Sequence, residues 1–158
     1  VMVRFGRIQK WWKHVFLRNL FHGAAAAVCL LTVFERIDWF ALRMIPGNRK
    51  EITVIFVLWT VHAMTLSALF LFLETFKDEK RIPAGLLLFE GLTFLSGFRF
   101  RKTARFMFGV WGMYVQSNLY EDTYGFSVIS VIIVQAVIMV VCYRLGSYLL
   151  EGREMEGV

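Results

Sequence analysis

Four long apolar segments constrain this chain more than any other feature of its sequence. They cover about residues 15–34, 52–76, 104–120 and 126–143. An apolar run of about 20 residues can cross the hydrocarbon core of a bilayer as a helix. Hydrophobic residues make up 58% of the 158 residues, more than soluble domains usually contain. The sequence therefore predicts one all-α integral membrane domain, a four-helix bundle with one or two interfacial or re-entrant helices.

A fifth apolar segment, residues 82–98, is 17 residues long and contains Glu90 near its middle together with four Gly or Pro residues. If this segment stays on one side of the membrane, 14 of the 18 lysines and arginines lie on that side. If it spans, the two sides carry 8 and 10, and the asymmetry disappears. Because cations are retained on the cytoplasmic face, we predict that residues 82–98 are interfacial or re-entrant. Both termini then lie on the cytoplasm-like side.

Residues 1–14 alternate cations with apolar and aromatic side chains, including Trp11 and Trp12. The cations are Arg4, Arg7, Lys10 and Lys13. This pattern is typical of a helix that lies in the interface, with its aromatic rings at headgroup level and its cations toward phosphate. It also fits a simple basic anchor that holds the topology. At the other end of the chain, residues 151–158 are polar and are predicted to be disordered.

A second basic cluster follows residue 98. It combines Arg99, Arg101, Lys102 and Arg105 with the phenylalanines at positions 98, 100 and 106. Basic and aromatic residues together can bind nucleic acid. Their place at the entrance of an apolar span favours anionic phospholipid headgroups instead. We therefore predict lipid partners and no nucleic-acid partner.

Two pairs of small residues, Gly23 with Ala27 and Gly109 with Gly112, lie inside the predicted spans. Small residues allow helices to approach closely within a membrane. Because a single four-helix bundle does not need both surfaces, they predict contacts with other membrane-protein subunits.

Signals for catalysis are weak. No P-loop, nucleophile elbow or His-Glu-x-x-His zinc motif is present, and no metal site is predicted. His22 and His62 lie at depths that differ by about 5 Å, which would permit a bis-histidine haem b. They could equally donate hydrogen bonds between helices. A buried Glu90 would suggest proton relay, although a structural role is favoured.

Polar residues in the last two predicted spans could form a path with Glu90 or act as hydrogen bonds between helices. They are Gln116, Asn118 and Gln135. We favour the second interpretation, because intramembrane amides commonly bridge neighbouring helices.

The order of parts resembles the COPI-associated family of small Golgi vesicle membrane proteins. The likeness covers about residues 20–144. It rests on Leu73-Glu74 closing the second span, on Phe94-Leu95-Ser96-Gly97-Phe98, and on Arg105-Phe106-Met107-Phe108-Gly109. The family's Gly-Arg-Gly is replaced here by Lys102-Thr103-Ala104-Arg105. The resemblance implies four spans, cytoplasmic termini and a supporting role in Golgi traffic.

Together these features predict a non-enzymatic multi-pass membrane protein that acts through protein and lipid partners, with no soluble small-molecule substrate. One version is a Golgi or endosomal trafficking protein. The alternative is an accessory subunit of a large assembly of the mitochondrial inner membrane, such as a respiratory or ATP-synthase complex. A third class is a small haem-b electron carrier that uses His22 and His62.

Overall fold

The computed structural model describes residues 2–41, 49–75, 81–120 and 125–156. Its α-helices are α1 (Met2–Ala41), α2 (Arg49–Glu74), α3 (Ile82–Arg99) and α4 (Val128–Glu156). Short 3-10 turns follow α3 at Arg101–Phe106, Phe108–Val110 and Tyr114–Gln116. Within the described ranges there is no β-strand, only an isolated bridge between Ser117 and Phe126. The all-α prediction is confirmed.

Three of these helices are long and apolar enough to cross a membrane. The apolar stretches are Ile8–Val33, Lys50–Glu74 and Val128–Gly152, of 26, 25 and 25 residues. At a rise of about 1.5 Å per residue, each exceeds the hydrocarbon core of about 30 Å. Between Arg49 and Glu74 no Gly or Pro interrupts the apolar run. The chain is therefore compatible with an integral membrane protein, as predicted.

Helices α1 and α4 run antiparallel, and the start of α1 meets the end of α4. Gln9 Nε2 donates a hydrogen bond to Glu151 Oε1 at 2.8 Å. We call this the terminal end of the bundle. At the opposite end, the loop end, Leu58 of α2 packs with Phe126 and Val131.

Trp12 is a core residue of the terminal end, not a headgroup-level aromatic. It is 2% exposed and packs in one cluster with Phe16, Ala68 and Cys142. Its indole Nε1 donates to the backbone oxygen of Tyr143 at 2.9 Å. Residues 1–14 were predicted to form a separate interfacial helix, but residues 2–14 continue without a break into the span that follows.

The prediction of a transmembrane helix over residues 104–120 is wrong. This segment consists of 3-10 turns separated by extended residues at Met107 and Met113. Glycine disfavours a helix by about 1 kcal/mol, and at Gly109 the backbone itself must approach α3. A Cβ at position 109 would lie 2.5 Å from the backbone oxygen of Glu90. Residues 104–120 therefore do not supply the third helix of the predicted four-helix bundle.

The prediction of a disordered tail over residues 151–158 is also wrong for its larger part. Helix α4 continues to Glu156, and Ser147 Oγ donates to Glu151 Oε1 at 3.2 Å one turn apart. The last two residues of the predicted tail, and residue 76 at the end of the second predicted span, lie outside the described residues.

Helix α3 lies beside α2 and runs in the opposite direction. Phe70 of α2 lines one cavity with Pro83, and Trp59 lines another with Phe94, so the two sequences pair in reverse order. Pro83 is in the first turn, where its missing N–H costs nothing. The outer side of α3 exposes large apolar side chains, among them Leu87, Leu88, Leu92 and Leu95.

Candidate functional site

His62 and Glu90 form a close polar pair between α2 and α3. His62 Nε2 lies 2.7 Å from Glu90 Oε1. The two side chains are 10% and 24% exposed. We call these residues the polar pair. Since His62 lies near the middle of α2, which is long enough to span a bilayer, the pair lies well away from both ends of that helix.

The segment after α3 completes the surroundings of His62. The Phe108 ring lies 4.7 Å from the imidazole, centroid to centroid. A Cβ at Gly112 would lie 3.4 Å from the same ring, so a glycine here lets the backbone pass close to it. The backbone N–H of Gly109 donates to Thr93 Oγ1 at 3.0 Å and holds the segment against α3.

Each member of the polar pair keeps one buried polar atom without a partner among the described residues. These atoms are His62 Nδ1 and Glu90 Oε2. If the carboxylate is ionised, Nε2–H donates to it. If the carboxyl is protonated, it donates to Nε2. In both cases the pair can still form hydrogen bonds with a third group.

A cavity of about 370 Å³ adjoins the polar pair. We call it the cleft. Apart from the polar pair and Ser67, its lining is apolar or glycine: Gly23, Ala26, Ala27, Leu30, Trp59, Ala63, Leu66, Phe94, Gly109, Gly112 and Met113. A second cavity of about 350 Å³ shares Leu66, Ser67 and Glu90 with the cleft. The carboxylate therefore borders both spaces.

The two histidines predicted as possible haem ligands are not brought together. His62 Nε2 is engaged by Glu90. His22 is exposed and is not part of the lining of the cleft. Its ring lies beside that of Phe21, at 6.4 Å between centroids. Haem binding stays a prediction that this geometry does not favour.

The four small residues predicted at helix interfaces are all buried within the chain. They are Gly23, Ala27, Gly109 and Gly112. Gly23 faces Ala63 and Ser67, so it serves the contact between α1 and α2. Gly109 and Gly112 lie outside any α-helix and let the backbone approach α3 and His62. The expectation that these surfaces are left over for other subunits is therefore wrong.

Several residues predicted to bind lipid headgroups are exposed. They are Lys10, Lys13, Arg99, Lys102 and Arg105. The Arg105 guanidinium lies 5.0 Å from the centroid of the Phe106 ring, and Phe106 is 70% exposed. The side chains of Arg4, Arg7 and Arg101 lie outside the described residues. Headgroup binding stays a prediction for all eight.

Of the three polar residues predicted near Glu90, none contacts it among the described interactions. Gln135 is fully buried and its Oε1 accepts from Thr65 Oγ1 at 3.1 Å, which joins α4 to α2. Asn118 Oδ1 accepts from the backbone N–H of Val128 at 3.3 Å, at the start of α4. Gln116 accepts the N–H of Phe126 through its backbone oxygen. All three residues make structural hydrogen bonds. The favoured interpretation, a bond between helices, is confirmed for Gln135.

The polar pair is the feature that sequence reasoning missed. The sequence contains two signals for it. His62 lies near the middle of the second predicted span, and Glu90 is the carboxylate in the middle of an apolar stretch. Because residues 82–98 are predicted to be interfacial or re-entrant, Glu90 is not expected beside His62. A helix placed antiparallel to α2 would have brought the two residues to one level.

Comparison of the chain with protein-family models, with curated proteins and with solved structures finds no match. The resemblance to the COPI-associated family stays a prediction.

Proposed function

We propose that this chain is a non-enzymatic multi-pass membrane protein that acts through lipid and protein partners inside the bilayer. The observation that carries the proposal is the apolar character of its outer surface. Phe21, Leu87, Ile129 and Tyr148 are each 70–73% exposed and lie on three different helices. A surface of this kind is stable in contact with lipid tails or with other membrane helices.

Helix α3 is proposed as a fourth crossing. Its 18 residues correspond to about 27 Å, close to the thickness of the hydrocarbon core. It runs antiparallel to α2, which is long enough to span, and its carboxylate is paired with a histidine of α2. Pairing lowers the cost of a carboxylate at this depth.

In this arrangement residues 101–120 begin and end on the same side of the membrane. The beginning of α1 and the end of α4 therefore both lie on the opposite side. The exposed cations Arg99, Lys102 and Arg105 then lie at the loop end, opposite the termini. The charge asymmetry that led to the interfacial prediction for residues 82–98 is lost. The prediction that the termini face the cytoplasm stays a prediction.

We assign the polar pair a role in binding. A hydroxyl or thiol nucleophile is activated by a hydrogen-bonded base. Among the described residues, His62 Nδ1 has no such partner, and the two described cysteines are far from it in sequence, one exposed and one in the terminal cluster. A histidine and a carboxylate beside an apolar cleft support binding.

The proposal is tested by native gel migration of the mildly solubilised endogenous protein, with mass spectrometry of co-migrating proteins and an absorbance scan. We expect the protein in the alkali-resistant membrane fraction, in a band that contains other membrane proteins and no Soret absorbance. Coat or Golgi proteins in the band would favour the trafficking version, and a respiratory or synthase complex would favour the accessory-subunit version.

Two results would contradict the proposal. Release by alkaline carbonate would show that the chain does not span the membrane. A Soret band at one haem per chain that is lost in both His22→Leu and His62→Leu variants would make it an electron carrier.

A further inference from the structure

The polar pair and the cleft together have the features of a binding site for one small amphiphile. Two polar atoms of the pair, His62 Nδ1 and Glu90 Oε2, are buried and have no hydrogen-bond partner among the described residues. Buried polar groups in proteins nearly always have a hydrogen-bond partner. The cleft beside them has a volume of about 370 Å³ and an almost entirely apolar lining. Ligand sites combine these properties, with an apolar wall and a few convergent polar groups.

We infer that the cleft binds a single-chain lipid with a hydroxyl headgroup, of the monoacylglycerol type, whose hydroxyl bonds to Glu90 and His62. This inference rests on the proposed function, since it specifies one of the lipid partners.

The choice of a hydroxyl headgroup follows from His62 Nδ1 and Glu90 Oε2. Glu90 Oε2 accepts a hydrogen bond when the carboxylate is ionised. His62 Nδ1 accepts in the neutral imidazole whose Nε2 donates to Glu90, and donates when the ring is protonated. A hydroxyl both donates and accepts, so it satisfies the pair in either protonation state. A phosphate would bring a second negative charge beside the carboxylate, which is unfavourable in an apolar site.

The choice of an aliphatic chain for the ligand follows from the residues that line the cleft. Ala26, Leu30 and Trp59 line the cleft on one side, and Phe94 and Met113 on another. The adjoining cavity of about 350 Å³ meets the cleft at Glu90 and is lined by Phe70, Pro83 and Leu86. One aliphatic chain can therefore extend from a headgroup at the polar pair along either space.

The test is photo-crosslinking in membranes that contain the full chain, with a monoacylglycerol that carries a diazirine and an alkyne in its acyl chain. We expect saturable labelling that unlabelled monoacylglycerol competes away, on peptides that line the cleft. A matched probe with both hydroxyls methylated keeps the chain and loses the donors. We expect its labelling to fall by about tenfold, as for the loss of one hydrogen bond to a charged group.

Two variants distinguish labelling in the cleft from labelling by lipid at the outer surface. Ala26 is exposed and lines the cleft, so Ala26→Phe should fill the space and remove the labelling. Ala84 is exposed on α3 and lines neither cavity, so Ala84→Phe is the matched control and should label like the original protein. Neither variant removes a buried contact of the polar pair.

Equal labelling by the methylated probe, or equal labelling of Ala26→Phe, would overturn the inference. So would a label confined to the separate cavity of about 540 Å³ lined by Lys13, Met64 and Met139. Alkaline carbonate extraction of the same membranes tests the proposed function independently. A chain that stays in the membrane without labelling would refute the lipid site alone.

Discussion

The terminal end of the bundle and the side that carries the cleft use small residues in opposite ways. At the terminal end, Gly146 of α4 lies directly under the indole of Trp12, which is almost fully buried. On the side of the cleft, Ala26 borders a space that no side chain fills, and a Cβ added at Gly91 on the exposed face of α3 would meet nothing within 4 Å. The Trp12 ring occupies the space over Gly146, whereas the cleft leaves room beside two polar groups.

The largest expected effect comes from removing one member of the polar pair. His62→Leu or Glu90→Leu leaves the other group buried without its partner and should lower the free energy of unfolding by about 3 kcal/mol. The double variant His62→Leu with Glu90→Leu should recover most of this loss, because no uncompensated polar group remains. The measurement is unfolding by sodium dodecyl sulfate in mixed micelles, followed by circular dichroism.

The control for these variants is Glu151→Leu, which removes another carboxylate that bridges two helices. Its bond to Gln9 is at the exposed terminal end and should contribute no more than about 1 kcal/mol. Additive losses in the double variant would mean that His62 and Glu90 do not interact.

A second prediction compares the same substitution in the two regions. Gly146→Ala places a methyl group against the Trp12 ring and should destabilise the protein by about 1–2 kcal/mol, as overpacking does. Gly91→Ala meets open space and should stabilise it by about 0.5–1 kcal/mol, because alanine is the better helix former. Thermal unfolding in one detergent measures both. A stable Gly146→Ala variant would contradict the close packing of the terminal end.

The smallest expected effect is at the buried hydrogen bond between α2 and α4. Thr65→Val keeps the shape of the side chain and removes the hydroxyl that bonds to Gln135. Such intramembrane bonds contribute about 0.6 kcal/mol, so the midpoint of unfolding should fall only slightly. The exposed Thr32, which bonds only within its own helix, supplies the control variant Thr32→Val. A loss several times larger at position 65 would show that Gln135 belongs with the polar pair among the costly buried groups.

The regular helices were predictable from the sequence, and the region of the site was not. Length and apolarity alone identify the candidate crossings in α1, α2 and α4, because their runs carry few charges. Residues 104–120 are also rich in apolar and aromatic side chains but fold as 3-10 turns. Their glycines serve contacts of the backbone with α3 and His62, which are non-local and invisible in a hydropathy pattern.

For α3 the proposed crossing departs from the prediction of an interfacial or re-entrant segment. The cation count favoured placing residues 82–98 on one side of the membrane, and Glu90 was compatible with that prediction, since a carboxylate in a membrane interior is costly on its own. The cost depends on a partner, and the partner is supplied by α2, 28 residues earlier. Trp12 illustrates the same limit, since its amphipathic sequence context suggested the interface whereas Gly146 offers it a place in the core.

The central claim is that α3 crosses the membrane and carries Glu90 to His62. The most direct test is to determine on which side of the membrane each end of α3 is accessible. Single cysteines at Arg81 and at Lys102, both exposed, would be introduced with Cys29→Ala and Cys142→Ala and labelled by a membrane-impermeant maleimide in sealed vesicles. Lys10→Cys and Lys50→Cys mark the terminal and loop ends. We predict that positions 10 and 81 react from one side of the membrane and positions 50 and 102 from the other. Reaction of positions 81 and 102 from the same side would contradict the account.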